Sequence, residues 1–269
     1  MVHVRVEHSD GVAVVTLDRP PVNALAQQTF EELARTFEGL SEQRAAGAAV
    51  LRATGDKAFC AGVDLEDSPL RFRPDGRRED GGPKGNPRYQ VDPGLVVRDC
   101  FWGIYDCAIP VVAAVDHAAI GAGVDLAASC DLIVASSRAR FALTEINVGV
   151  LGGVRHAQRL VGPYLAKRMF LTGEFVEAEE VYRRSGGIDR IVPPDQLLDR
   201  AMDLARTIAS KSPLAVRLAK ESANRVEQLS LKDGYRTEQD YTLRVRRHSD
   251  ADEARKAFLE HRPPNFDWE

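Results

Sequence analysis

Three short runs are almost wholly apolar: Ala48-Ala-Val-Leu-Arg-Ala53, Pro110-Val-Val-Ala-Ala-Val115 and Leu132-Ile-Val-Ala135. A strand with one face in water alternates apolar and polar residues, so runs like these must be covered on both faces. Stretches of helical character lie between them. This alternation of buried strand and helix, continuing to about residue 200, predicts an α/β fold with largely parallel sheets. After Pro193-Pro194 the pattern is helical only, over 196–210, 213–226, roughly 231–246 and 250–260. The chain therefore divides into a core over 1–195 and a C-terminal helical region over 196–269.

The opening residues read differently. Val2, Val4 and Val6 alternate with polar residues, His8-Ser-Asp-Gly11 turns, and Val12-Ala-Val-Val-Thr-Leu17 returns as a second strand. Asp18-Arg-Pro-Pro21 ends the pairing, since proline cannot donate to a ladder. Residues 25–44 read as an amphipathic helix with Leu25, Phe30, Leu33, Phe37 and Leu40 on one face. Residues 67–94 are rich in Pro, Gly, Arg and Asp, and read as a long mobile insert able to cover a site. Four of its arginines, Arg71, Arg73, Arg77 and Arg78, read as solvated loop.

Charge narrows the function. Lys+Arg 36 against Asp+Glu 40 gives a net charge of -4, which argues against a general nucleic-acid binder. No run approaches the ~20 apolar residues of a membrane span, and the N-terminus has no signal-peptide pattern. Cys60, Cys100, Cys107 and Cys130 show no zinc-ligand spacing, three of them lie among apolar or small residues, and they read as free thiols of a cytoplasmic protein. No metal is expected.

Two glycine-containing turns follow buried strands and lead toward helices: Phe59-Cys-Ala-Gly-Val-Asp-Leu65 and Gly121-Ala-Gly-Val-Asp-Leu126, the second within a small-residue turn over Ala118-Ala-Ile-Gly-Ala-Gly123. The first N–H groups of a helix have no internal partner and carry partial positive charge. Two such groups converging make an oxyanion hole. Ordinary tight turns use the same glycines, and the pattern leaves both readings open. Asp125 stands in the second turn's helix, and Glu145 follows in Phe141-Ala-Leu-Thr-Glu-Ile-Asn-Val-Gly149. A carboxyl in such an apolar run is expected to be desolvated and raised in pKa, and two of them can divide acid and base roles. Each alone could equally be structural, Asp125 a buried hydrogen-bonded acid and Glu145 a helix-terminal one.

The residues together resemble the crotonase (enoyl-CoA hydratase/isomerase) superfamily. Lys57-Ala-Phe-Cys-Ala-Gly-Val-Asp-Leu65 is similar to its first signature, and Ile120-Gly-Ala-Gly-Val-Asp-Leu-Ala-Ala-Ser-Cys-Asp131 to its second. Phe141-Ala-Leu-Thr-Glu145 with Gln158-Arg-Leu160 is similar to the third, and residues 249–262 resemble the closing helix. The resemblance implies a spiral of ββα units with a C-terminal helical region for oligomerisation and active-site cover. It implies a homo-oligomer, a trimer or dimer of trimers, and an acyl-CoA thioester substrate with no separate cofactor. The thioester oxygen would accept N–H bonds from Val63 and Ala122, while Glu145 would donate or accept the α-carbon proton and Asp125 would help activate water. Contacts to the CoA portion fall around Val22, Ala61, Gly62, Asp64 and Leu65, with Gly121 and Gly153 beside the acyl end. Phe258 matches a position that reaches a neighbouring subunit's CoA.

The departures from the family pattern bear on the reaction. Asp125 is one methylene shorter than the usual hydratase glutamate and matches a dienoyl-CoA isomerase form, whose further aspartate is here Gly153. After Glu145 the usual small residues give way to Gly152-Gly-Val-Arg-His156. Arg155 and His156 either face away and pack against the insert, or recognise a polar or carboxylated acyl group. His117 reads as structural, and Trp102 and Tyr105 as pocket wall or core. The expected activity is hydration of a 2-enoyl-CoA. The alternatives are double-bond isomerisation, or another CoA-thioester lyase or hydrolase reaction.

Overall fold

A computed structural model describes residues 2–67 and 87–266. The first part of the chain runs β1 (Val4–Ser9), β2 (Val12–Leu17), α1 (Gln27–Glu42), β3 (Ala48–Ala53), β4 (Ala58–Cys60), α2 (Pro87–Val91) and α3 (Leu95–Tyr105). The middle runs β5 (Val111–Val115), β6 (Ala118–Ile120), α4 (Ala122–Ser129), β7 (Leu132–Ser136), β8 (Arg140–Ala142), α5 (Val154–Val161) and α6 (Pro163–Thr172). The last part runs β9 (Phe175–Glu177), α7 (Ala178–Ser185), β10 (Arg190–Val192), α8 (Leu197–Ala209), α9 (Pro213–Val226), α10 (Leu231–Val245) and α11 (Ser249–Leu259).

The strands form two sheets, a six-stranded one ordered β1-β2-β3-β5-β7-β10 and a four-stranded one ordered β4-β6-β8-β9. Pairing is parallel except in the β1–β2 hairpin and between β8 and β9. Each long apolar strand feeds the large sheet and the short strand after it feeds the small one: β3 then β4, β5 then β6, β7 then β8. A helix follows each pair, which is the spiral of ββα units expected from the resemblance.

The apolar runs are covered on both faces. Along β3, Ala49 and Leu51 join the main core with Phe30, Phe37, Phe59 and Phe141. Ala48 and Val50 point the other way, into a second cluster with Ala201, Met202 and Ala205 of α8. Each fully buried Val or Leu contributes ~1.5–3 kcal/mol, so α8 is what makes the outer face of the large sheet tenable. Two of the helices beyond α8, α9 and α10, start on side-chain caps. Ser212 accepts from Ala215 N ahead of α9, and Ser230 accepts from Asp233 N ahead of α10.

Several expectations need correction. The helix expected over 25–44 is α1, and Leu25 lies outside it in an isolated bridge to Val63. Ala118–Ile120, read as turn, is β6. Within the insert 67–94, residues 87–91 form α2, with Tyr89 buried. Arg71, Arg73, Arg77 and Arg78 lie outside the described residues. All four cysteines are free and buried. Among the described residues no helix is long and apolar enough to cross a membrane.

Candidate active site

The site gathers where α4 begins. Gly121, the residue before the helix, has φ +53 and ψ -116, a conformation open to glycine and strained for other residues. Its N–H donates to Ala142 O, and its carbonyl accepts from Val124 N and Asp125 N. The first N–H groups of α4, Ala122's among them, have no acceptor inside the helix.

Val63 approaches from the other side. Leu25 N donates to Gly62 O at 2.8 Å and Asp64 N donates to Leu25 O at 3.0 Å. In a parallel bridge those bonds flank Val63 and leave its own N–H turned away from Leu25. A Cβ on Gly62 would lie 3.1 Å from Ile120 O and 3.9 Å from Ala122 N, so the 62–63 segment packs directly against the start of α4. Here the sequence reading needs a second correction. Residues 64–67 after Val63 are irregular, so the first turn does not open a helix, and only α4 supplies a dipole.

Asp125, in the first turn of α4, is 7% exposed. Burial, with the neighbouring charge of Glu145 added, pushes its carboxyl up to about 8. Glu145 opens a 3-10 helix (Glu145–Val148), and burial raises its carboxyl too. Asp125 Oδ1 and Glu145 Oε2 are buried without a hydrogen-bond partner.

Glycines make the room. A Cβ on Gly121 would overlap Glu145 Oε1, and one on Gly152 would lie 3.7 Å from the same oxygen. At Gly153, which has φ +76, a Cβ would crowd Leu143 at 2.8 Å and Asp125 Oδ1 at 2.9 Å. The turns and both acids, far apart in sequence, thus share one cradle.

Arg155 and His156 separate. Arg155 is exposed. His156 faces inward: its Nδ1 lies 3.4 Å from Asp125 Oδ1, and its ring packs on Phe101 at 5.3 Å between centroids. Burial, then Arg155 and Arg159, push the imidazole down to about 4, so it is neutral at pH 7. Both residues line a cavity of about 250 Å³ with Phe101, Trp102, Tyr105 and Arg159. Trp102 and Tyr105 are its wall, and the Tyr105 hydroxyl donates to Glu227.

The positions expected around the CoA portion lie along one edge. Ala61 N donates to Val22 O at 3.0 Å, and Leu65 is exposed. The Asp64 carboxylate is already engaged, bonded to Arg19 at 2.6 Å and to Glu66 N and Asp67 N. Burial alone would raise it, but these hydrogen bonds and Arg19 hold it below the usual range. His117 is remote in role, its backbone N–H bonded to Asp116 at a positive φ of 57. Phe258 is exposed on α11.

Sequence reasoning missed two supports. Asn23, buried with φ 55, accepts from Arg19 N and donates to Thr54 O and Ala58 O. It staples the 19–25 loop beside the first turn, and its sequence signal is an Asn two residues after Pro20-Pro21. Arg159 donates to Ala128 O and Cys130 O, tying α5 to the end of α4. It stands within the Gln158-Arg-Leu160 run of the resemblance, which gave it no role.

A ββα spiral that gathers two buried carboxyls where α4 begins sets the chain in one class of α/β protein. The enoyl-CoA hydratase/isomerase family model matches residues 7–269, and the chain belongs to that family. A hydrolase of (7aS)-7a-methyl-1,5-dioxo-2,3,5,6,7,7a-hexahydro-1H-indene-carboxyl-CoA from Rhodococcus jostii is 34% identical over 93% of this chain and 92% of its own. A probable enoyl-CoA hydratase from Rhizobium meliloti is 35% identical over 97% and 96%. The crystal structure of an enoyl-CoA hydratase from Bacillus anthracis superposes with a TM-score of 0.87 at 28% identity, covering 100% of both chains.

Proposed function

We propose that the chain adds water across the double bond of a 2-enoyl-CoA thioester. What supports this most is the cradle itself: two buried carboxyls, each with one oxygen left unpartnered, beside the Val63 and Ala122 N–H groups. In this reading the thioester oxygen accepts from both N–H groups, so charge that develops there is stabilised. Glu145, as carboxylate, takes a proton from water while the oxygen bonds to C3. The resulting enolate takes a proton at C2 from Asp125, which is protonated at neutral pH. Proton exchange between the acids restores the resting state, and the net change is one water added. This assigns the acid role to Asp125, where the sequence alone had suggested help with the water. Coenzyme A enters as part of the substrate.

The isomerase alternative draws less support. Its further aspartate would stand at Gly153, where even a Cβ meets Leu143 and Asp125. Hydrolysis is favoured by one observation, the neutral His156 beside Asp125 at a cavity wide enough for a ring-sized acyl group. The R. jostii relative carries a hydrolase name. Arg155, exposed at that cavity, suits a carboxylate or other polar group at the far end of the acyl chain.

We further propose a homo-oligomer. Tyr164, Leu171, Val148 and Leu151 are large apolar residues more than half exposed in the single chain, and a partner subunit would cover them. A panel of enoyl-CoA thioesters, linear and cyclic, tests the reaction. Loss of the conjugated-thioester absorbance with a product heavier by one water supports hydration. Absorbance change at constant mass means isomerisation, and release of free CoA or a ring-opened acid means hydrolysis.

A further inference from the structure

His156 is absorbed by neither the oxyanion contact nor the acid pair, yet it lines a cavity of about 250 Å³ and reaches inward to Asp125. Its Nδ1 lies 3.4 Å from Asp125 Oδ1, close to bonding distance without the geometry of a bond. That same Oδ1 is the buried oxygen left without a partner. The ring cannot drift far, because it stacks against Phe101 and rides on α5, which Arg159 ties to the end of α4. Catalytic hydrogen bonds in ligand-free sites are often long and tighten on binding.

We propose that His156 is a positioning residue for Asp125, its Nδ1–H donating to Oδ1 so that the acid's proton sits on Oδ2, on the reacting side. The inference rests on reading Asp125 as the acid. An Oδ1 that accepts from His156 stays an acceptor in both protonation states of Asp125, so the bond survives the transfer. It strengthens when the carboxylate forms, since hydrogen bonds to charged groups are the stronger ones. His156 therefore makes Asp125 a better proton donor than burial alone would allow. The other groups facing Asp125 are Glu145 and the thiols Cys60 and Cys100, whose burial holds them protonated. None of these supplies a cation. Those facing His156 are Arg155 and Arg159, which disfavour a charged imidazole and keep it a neutral donor.

The test reads the carboxyl directly in the ligand-free protein. The infrared C=O band of protonated Asp125, assigned by its loss in Asp125→Asn, is followed against pH. Removing the donor in His156→Phe, which keeps a ring against Phe101, should move the midpoint upward by about one pH unit or more. His156→Asn, whose amide can stand where Nδ1 stands, should keep it within about half a unit of wild type. A packing role predicts the reverse order, with Phe tolerated and Asn disruptive. An unchanged or lowered midpoint in His156→Phe would overturn the proposal. So would a ¹⁵N spectrum of the wild-type protein showing the imidazole as the Nε2–H tautomer, a reading that needs no variant to fold. Neither readout uses turnover. A chain that proves not to be a hydratase leaves the His156 result standing, and an ordinary Asp125 midpoint in wild type would strike the acid assignment instead.

Discussion

Asp125 sets activity against stability. Its folded pKa of about 8 lies above the unfolded value of 3.8. Between those values the folded protein holds a proton that the unfolded chain releases. The group's contribution is therefore fully present below about pH 4 and is lost as pH rises through about 8. Asp125→Asn removes the dependence, and its Tm at pH 8 should exceed wild type by at least about 2 °C, the shift that ~1 kcal/mol gives a chain of this size. Calorimetry at pH 5 and pH 8 checks the difference. In the proposed hydration the same proton goes to the substrate, so the rate should fall as pH rises past about 8, and Asp125→Asn should be slow at every pH. Glu145→Gln keeps the shape but cannot take a proton, and should cost at least about 10²-fold in kcat, measured at saturating substrate. Loss from only one of the two amide variants would point to an isomerase working through a single acid.

At the scale of elements, the site depends on where α4 starts and what holds its far end. Gly121→Ala both strains a glycine-only conformation and overlaps Glu145. It should abolish measurable hydration while the circular dichroism spectrum stays native. Beyond α4, Lys220 of α9 is buried against Asp131 at 2.8 Å and within reach of Ile104 O and Ile109 O. Lys220→Ala leaves the Asp131 carboxylate with the Val111 N–H but without its ammonium partner, and should cost ~3–5 kcal/mol in urea unfolding. Which elements could be read in advance follows from their length. The long apolar strands and the amphipathic helices α1 and α8–α11 repeat their pattern often enough to be seen. β6, β8, β9 and β10 are three residues each, too short for any period, and β6 passed for a turn. The apolar stretch around Glu145 pointed to desolvation. That the first glycine turn opens no helix depends on a bridge to Leu25, 38 positions earlier in the chain, which no local pattern carries. His156 likewise needed α5 to be placed before its inward direction could be known.

For the whole molecule, a chain that builds one α/β spiral and leaves Tyr164, Leu171 and Phe258 mostly exposed should not remain alone in solution. Light scattering after size exclusion should give three or six copies, and a monomer at micromolar concentration would contradict the oligomer. The place of the substrate is read most directly from a crystal with a bound 3-hydroxyacyl-CoA. The thioester oxygen should lie within about 2.7–3.1 Å of both Val63 N and Ala122 N, with C2 and C3 between Asp125 and Glu145. A thioester that binds elsewhere, or that touches only one of the two nitrogens with its acyl carbons away from both carboxyls, would contradict that placement.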